Sequence, residues 1–177
     1  MATLYLMVGL PGAGKTTRAR ELAAEHRAVW LSPDVWMLAL FGEPEAGRGR
    51  DVLEGRLISV ALQVLRTGSS VVLDFGLWGR DERWALRAMA TSLGAEVQLV
   101  YLPVDPSAQR ERIRSRWSGT PEETFPMTDA DVDRASAFFE APDAAELGSN
   151  TLPGPPVGSR DWARWAAARW PSSDRSG

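Results

Sequence analysis

Gly9-Leu10-Pro11-Gly12-Ala13-Gly14-Lys15-Thr16 constrains this chain more than any other stretch. It follows Thr3–Val8 (TLYLMV), a short apolar run of strand formers. It precedes Thr16–Glu25, where alanine, leucine and arginine recur on helical spacing. A strand that turns through three glycines straight into a helix is built to hold phosphate. The glycines let the backbone approach and aim N–H groups inward, and the helix adds the positive end of its dipole. The spacing fits G-x-x-x-x-G-K-[ST]. Lys15 is the one lysine among 20 lysine and arginine residues, so a coding preference for arginine has spared a single position. That position needs a compact ammonium, and a planar guanidinium is a poor substitute there.

Gly9, Pro11, Gly12, Ala13, Gly14, Lys15, Thr16 and Thr17 are therefore the candidate nucleotide-binding residues. Lys15 is expected to neutralise the β- and γ-phosphates of ATP or GTP. Thr16 offers its hydroxyl to Mg2+, a metal that takes few protein ligands and keeps several waters. Thr17 reaches the α-phosphate. Neither the choice of purine nor the oligomeric state has a diagnostic motif.

Further apolar runs predict strands at Ala28–Leu31, Ser70–Asp74 and Glu96–Leu102, with helices between them. Ser32-Pro33 opens one helix as N-cap and first residue. Asp51 and Glu54 resemble a capping box for the next. Helices are also expected at Arg80–Leu93, Ser107–Trp117, Asp129–Glu140 and Asp161–Trp170. Strands apolar on both faces and alternating with helices imply a parallel sheet covered on both sides, an α/β/α sandwich. Residues 1–170 read as one domain, with a mobile glycine-rich loop at 42–50 and a disordered tail at 171–177. A fifth strand is expected before the last helix, where Gly148–Leu152 is a weak candidate.

In such a sheet ligands bind outside the carboxyl ends of the strands. Asp34 follows the second strand and Asp74 closes the third. One division gives Asp74 to Mg2+ and makes Asp34 the base for an acceptor hydroxyl. On sequence alone the two roles are exchangeable, and Asp74 also counts as a substrate-side acid. Trp36 and Trp78 follow the two acids and could wall an acceptor pocket. Arg110, Arg112, Arg114 and Arg116 share one helix. Arg112 and Arg116 lie on one face and Arg110 and Arg114 on the other.

Absence of cysteine excludes disulfides, thiolate metal sites and cysteine nucleophiles. A net charge of −3 and a pI of about 5.3 count against a nucleic-acid partner. No apolar run reaches membrane-spanning length. The N-terminus runs directly into the loop without a signal-peptide layout, so a cytoplasmic enzyme is expected.

GLPGAGKTT, LSPD, VVLDFGLW, RDERWALR and RERIRSR, in this order, resemble the small P-loop kinases of the AAA_33 "predicted kinase" family. That family is similar to chloramphenicol phosphotransferase, zeta-toxin kinases and the polynucleotide kinase domain. The resemblance covers about residues 3–146 and implies a nucleoside-monophosphate-kinase-like, five-stranded sheet in the order 2-3-1-4-5. It implies an arginine-bearing lid at about 105–128. It carries the base role onto Asp34, the lid role onto Arg112 and Arg116 (the latter catalytic) and a substrate contact onto Arg83. The expected activity is transfer of a γ-phosphoryl group to a hydroxyl of a small molecule, such as an antibiotic, another natural product, a sugar or a nucleoside. A 5′-hydroxyl polynucleotide kinase and a nucleotide-dependent regulator or toxin-like kinase are the alternatives.

Overall fold

Four apolar runs form parallel strands in the computed structural model, which describes residues 1–119, 125–148 and 151–173. They are β1 (Thr3–Val8), β2 (Val29–Leu31), β3 (Val71–Gly76) and β4 (Glu96–Tyr101), ordered β2-β3-β1-β4. In register, Leu4 lies opposite Val71 and Val97, and Leu6 opposite Leu73 and Leu99. The helices are α1 (Lys15–His26), α2 (Pro33–Phe41), α3 (Gly49–Arg66), α4 (Arg80–Ser92), α5 (Pro106–Gly119), α6 (Asp129–Phe138), α7 (Ala144–Gly148) and α8 (Trp162–Arg169).

Successive residues of β1 point to opposite faces, and both faces are buried. Leu4, Leu6 and Val8 join Leu57, Ile58 and Ala61 of α3, Trp84, Ala85 and Leu86 of α4, and Trp162 and Ala166 of α8. Tyr5 and Met7 join Ala19 and Leu22 of α1 on the other side. This double burial is why β1 and β3 read as nearly unbroken apolar runs, whereas the edge strand β4 alternates polar Glu96 and Gln98 with Val97 and Leu99. The result is the three-layer α/β/α architecture expected of a P-loop kinase.

Several local expectations change. No fifth strand forms among the described residues, and residues 149 and 150 of the candidate Gly148–Leu152 lie outside them. Leu152 packs against the core without pairing, and Pro153, Pro155 and Pro156 remove the N–H donors a ladder would need. Helix α3 starts at Gly49, two residues earlier than expected and inside the segment read as a mobile loop. Its Glu54 makes no capping box. The side chain turns inward to Arg50 and Trp170, because partners distant in sequence outcompete the local cap. Of the tail expected to be disordered at 171–177, residues 174–177 lie outside the described residues, while Ser172 is buried, its hydroxyl donates to the Val52 carbonyl and its own carbonyl accepts from Arg56. Among the described residues no helix is long and apolar enough to cross a membrane.

Candidate nucleotide and acceptor site

The glycine loop lies in the fork between the ends of β3 and β4. The Gly9 amide donates to the Gly76 carbonyl at 3.2 Å. A Cβ at Gly9 would lie 2.7 Å from the Leu102 carbonyl oxygen, closer than any side chain tolerates. Gly12 has φ +79, and its Cβ would meet the Gln109 carbonyl oxygen at 3.0 Å and Ile113 at 3.2 Å. Helix α5 therefore clamps the loop from outside. Gln109, buried, completes the clamp by donating from Nε2 to the Pro11 carbonyl at 2.9 Å. Sequence reasoning missed Gln109, since one amide in an arginine-rich helix carries no motif. Ala13 is buried beneath the loop, and Gly14 caps α1, whose first residues are Lys15, Thr16 and Thr17.

Lys15 Nζ donates to the Leu10 carbonyl at 2.8 Å. Burial holds its pKa below the ordinary lysine value, opposed by the charges of Asp74 and then Asp34, and reinforced by that of Arg116. Both candidate acids and one candidate lid arginine thus act on the same ammonium.

Asp74 sits on β3 at 6 % exposure. Burial pushes its carboxyl above the usual range, while a hydrogen bond from Thr16 and the charge of Lys15 pull it back. The indole N–H of Trp30 faces the same carboxylate and also favours its charge, but outside hydrogen-bonding geometry. Trp30 Nε1 and Asp74 Oδ2 are both buried without a partner. A buried polar atom left unpaired calls for an occupant. A free carboxylate oxygen beside a threonine hydroxyl is the all-oxygen donor set that suits hydrated Mg2+.

The raised pKa sets a sign. A carboxyl whose folded pKa exceeds its unfolded one favours the fold at low pH, and that contribution is lost as pH rises through the folded value. Without nucleotide, Asp74→Asn is therefore expected to raise the melting temperature at neutral pH. Thermal melts from pH 4 to 8 check this, with the gain over wild type shrinking toward acid. A variant that melts lower than wild type at neutral pH would contradict it.

Asp34 lies in the first turn of α2, after the N-cap Ser32 and Pro33. Its half-exposed carboxylate pairs with Arg50 Nη2 at 2.9 Å. On the other acid-bearing strand end, Gly76 (φ +86) and Leu77 (φ +43) turn the chain sharply. The turn lays Trp78 across Gly76. A Cβ at Gly76 would lie 3.2 Å from the indole Nε1 and 3.6 Å from Lys15 Cε, so the indole and the lysine stem flank one glycine. Trp36 is 46 % exposed on α2. Arg112 Nη1 donates to the Gly12 carbonyl at 3.5 Å, and with Arg116 it lines an open hollow along α5. Arg110 instead pairs with Asp133 and Asp129 of α6. Residues 120–124 of the expected lid lie outside the described residues.

Residues 4–142 match the family AAA_33, an AAA domain. The chain belongs to this family. It is 31% identical over 151 residues to an adenylate kinase of Synechococcus sp. (strain RCC307), covering 72% of this chain and 83% of that one. Its fold is similar to Chaetomium thermophilum Kti12 in complex with ADP-AlF3 (TM-score 0.67, 19% identity, 98% of this chain and 100% of that one). It is also similar to a sugar kinase from Janibacter sp. HTCC2649 (TM-score 0.55, 18% identity, 81% and 80% covered). A kinase-like P-loop domain, with the nucleotide binding that this implies, is thus the coarse identity of the chain.

One expected site residue of this AAA_33 domain is elsewhere. Arg83 does not face a substrate: it is 1 % exposed and fully engaged. Nε and Nη2 donate to the two oxygens of Glu146 at 2.8 and 2.9 Å, and Nη1 donates to the Leu77 and Trp78 carbonyls. Arg83 thereby holds the strained Leu77 turn from beneath. Removing one member of a buried ion pair strands the other charge, so Arg83→Met is expected to destabilise the fold by about 3–5 kcal/mol. Denaturant unfolding measures this, and a loss under about 1 kcal/mol would mean the pair is solvated.

Proposed function

We propose that this protein is an ATP-dependent O-phosphotransferase whose acceptor is a hydroxyl of a small molecule, such as an antibiotic or other natural product, a sugar or a nucleoside. The observation that carries the reading is an accessible carboxylate, Asp34, close enough to Lys15 to act on its charge and held by one arginine. In this reading the loop amides and Lys15 grip the β- and γ-phosphates, and Arg112 and Arg116 offset charge on the moving group. Thr16 and Asp74 would hold Mg2+, which when bound would supply positive charge to offset that of the phosphates. Asp34 accepts the hydroxyl proton as the acceptor oxygen bonds to the γ-phosphorus and the bond to the β–γ bridging oxygen breaks. Trp36, exposed beside Asp34, and Trp78 give the acceptor flat apolar walls.

The resemblance to an adenylate kinase favours a second reading, with a nucleoside monophosphate as acceptor. Electrostatics weighs against it. An acceptor phosphate brings negative charge to the mouth where Asp34 lies, and it needs free cations there. Arg83 is spent on Glu146, and Arg50 is shared between Asp34 and Glu54. A neutral alcohol meets no such repulsion.

The test is γ-labelled ATP with Mg2+ and a panel of hydroxyl-bearing antibiotics, sugars, nucleosides, AMP and a 5′-hydroxyl oligonucleotide. Label is expected on a neutral alcohol. Label on AMP establishes the second reading, and label on the oligonucleotide establishes a polynucleotide kinase. ATP turnover that no acceptor accelerates indicates a nucleotide-dependent regulator.

A further inference from the structure

Trp170, which closes α8, is fully buried, yet its indole does not merely fill space. Nε1 donates to Glu54 Oε2 at 3.0 Å. The other oxygen of Glu54 accepts from Arg50 Nε at 3.0 Å. Arg50 Nη1 donates to the Pro44 carbonyl at 3.2 Å, and Nη2 to Asp34 Oδ1 at 2.9 Å. Two anchors thus fix the plane of the Arg50 guanidinium, and its remaining edge is presented to the candidate base. Arg169 braces the far end, donating to Glu82 at 2.8 Å and to Asp51 at 2.6 Å.

We propose that α8 and Trp170 belong to the acceptor half of the active centre, where they position Asp34 through a relay of Glu54 and Arg50. The inference rests on the reading of Asp34 as the base. A carboxylate as deeply buried as Glu54 costs the fold unless it is paired. Apolar packing by Trp162, Ala166 and the Trp170 ring would dock α8 without one. The relay does something packing alone does not: it ties the direction of a half-exposed carboxylate to the core. Arg50 and Trp170 are positioning residues, and both ends of the relay matter. Trp170 lies beyond residues 4–142, so the segment after the matched family region reaches into the site.

MgATP hydrolysis tests this with water as the acceptor in place of the alcohol. Arg50→Ala is expected to slow hydrolysis at saturating MgATP roughly 10–100-fold, the effect of misplacing a catalytic group by about 1 Å. Arg50→Lys is expected to fall between the two, because one ammonium cannot hold Glu54 and Asp34 in a fixed plane. Trp170→Phe keeps the ring, loses one hydrogen bond and is expected to slow hydrolysis about 3–10-fold. MgADP affinity should stay within about twofold throughout, which separates positioning from a general loss of structure. In an Asp34→Asn background, Arg50→Ala should have no further effect, as coupled residues show in a double-mutant cycle. Asp34→Asn slow with Arg50→Ala at the wild-type rate or faster overturns the relay and leaves the base reading standing. Arg50→Ala slowing Asp34→Asn by the same factor as wild type also overturns it. Asp34→Asn hydrolysing at the wild-type rate instead overturns the base reading itself, and the relay with it.

Discussion

Lys15→Ala is expected to abolish phosphoryl transfer, lowering turnover by at least about 10²–10³-fold, and to weaken MgATP binding. In the free protein the ammonium is buried on the Leu10 carbonyl, with its pKa depressed by burial and supported by Asp74 and Asp34. A partly desolvated cation has much to gain when a triphosphate arrives, since its charge then meets several anionic oxygens. Alanine removes that gain and leaves Asp74 facing the nucleotide without its cation. Lys15→Arg is not expected to rescue. Gly76 and the Trp78 indole border the lysine stem closely enough that a Gly76 Cβ would be 3.6 Å from Cε. A planar guanidinium has no comparable slot. Calorimetric titration with MgATP and a labelled-ATP turnover assay measure both effects. Turnover within about tenfold of wild type in Lys15→Ala would remove the loop from the chemistry.

How legible each part was in the sequence depends on how local its cause is. The phosphate loop was legible because its chemistry needs fixed residue types at fixed spacing. Gly9 and Gly12 are required by close approach to backbone and side-chain atoms, whatever the rest of the chain does. β1 and β3 were legible because burial on both faces keeps them almost wholly apolar, Asp74 at the functional end excepted, whereas the edge strand β4 alternates Glu96 and Gln98 with Val97 and Leu99. What was not legible depended on distant partners. Arg83 looks like any arginine on a helix, and only Glu146, 63 residues later, makes it a core residue. Glu54 looks like a helix-capping acid until Trp170, 116 residues later, claims one of its oxygens. Gln109 carries no pattern at all, and its role appears only when α5 meets Pro11. A fifth strand was expected from the resemblance, although Gly148–Leu152 offered it only a weak run, and none forms among the described residues.

Asp34→Asn is expected to lower turnover by about two orders of magnitude or more, the worth of a general base, with nucleotide affinity unchanged. The substitution is nearly isosteric. The amide oxygen can still accept from Arg50, so the relay to α3 keeps its geometry while the carboxylate's capacity to take a proton is lost. A fall in kcat without a change in MgADP affinity is the mark of an interaction made in the transition state. The sign of the effect also separates the two acceptor classes. A neutral alcohol must lose a proton, so its phosphorylation falls when the base is removed. A nucleoside monophosphate attacks through an oxygen that carries no proton to remove and is repelled by the carboxylate. Its phosphorylation should hold steady or rise in the variant, all the more because Arg50 would then be partly released from its charge partner. The same substitution, assayed with the acceptor that takes label and with AMP, therefore returns opposite signs for the two readings. An alcohol phosphorylated at the wild-type rate by Asp34→Asn would remove the base from the mechanism.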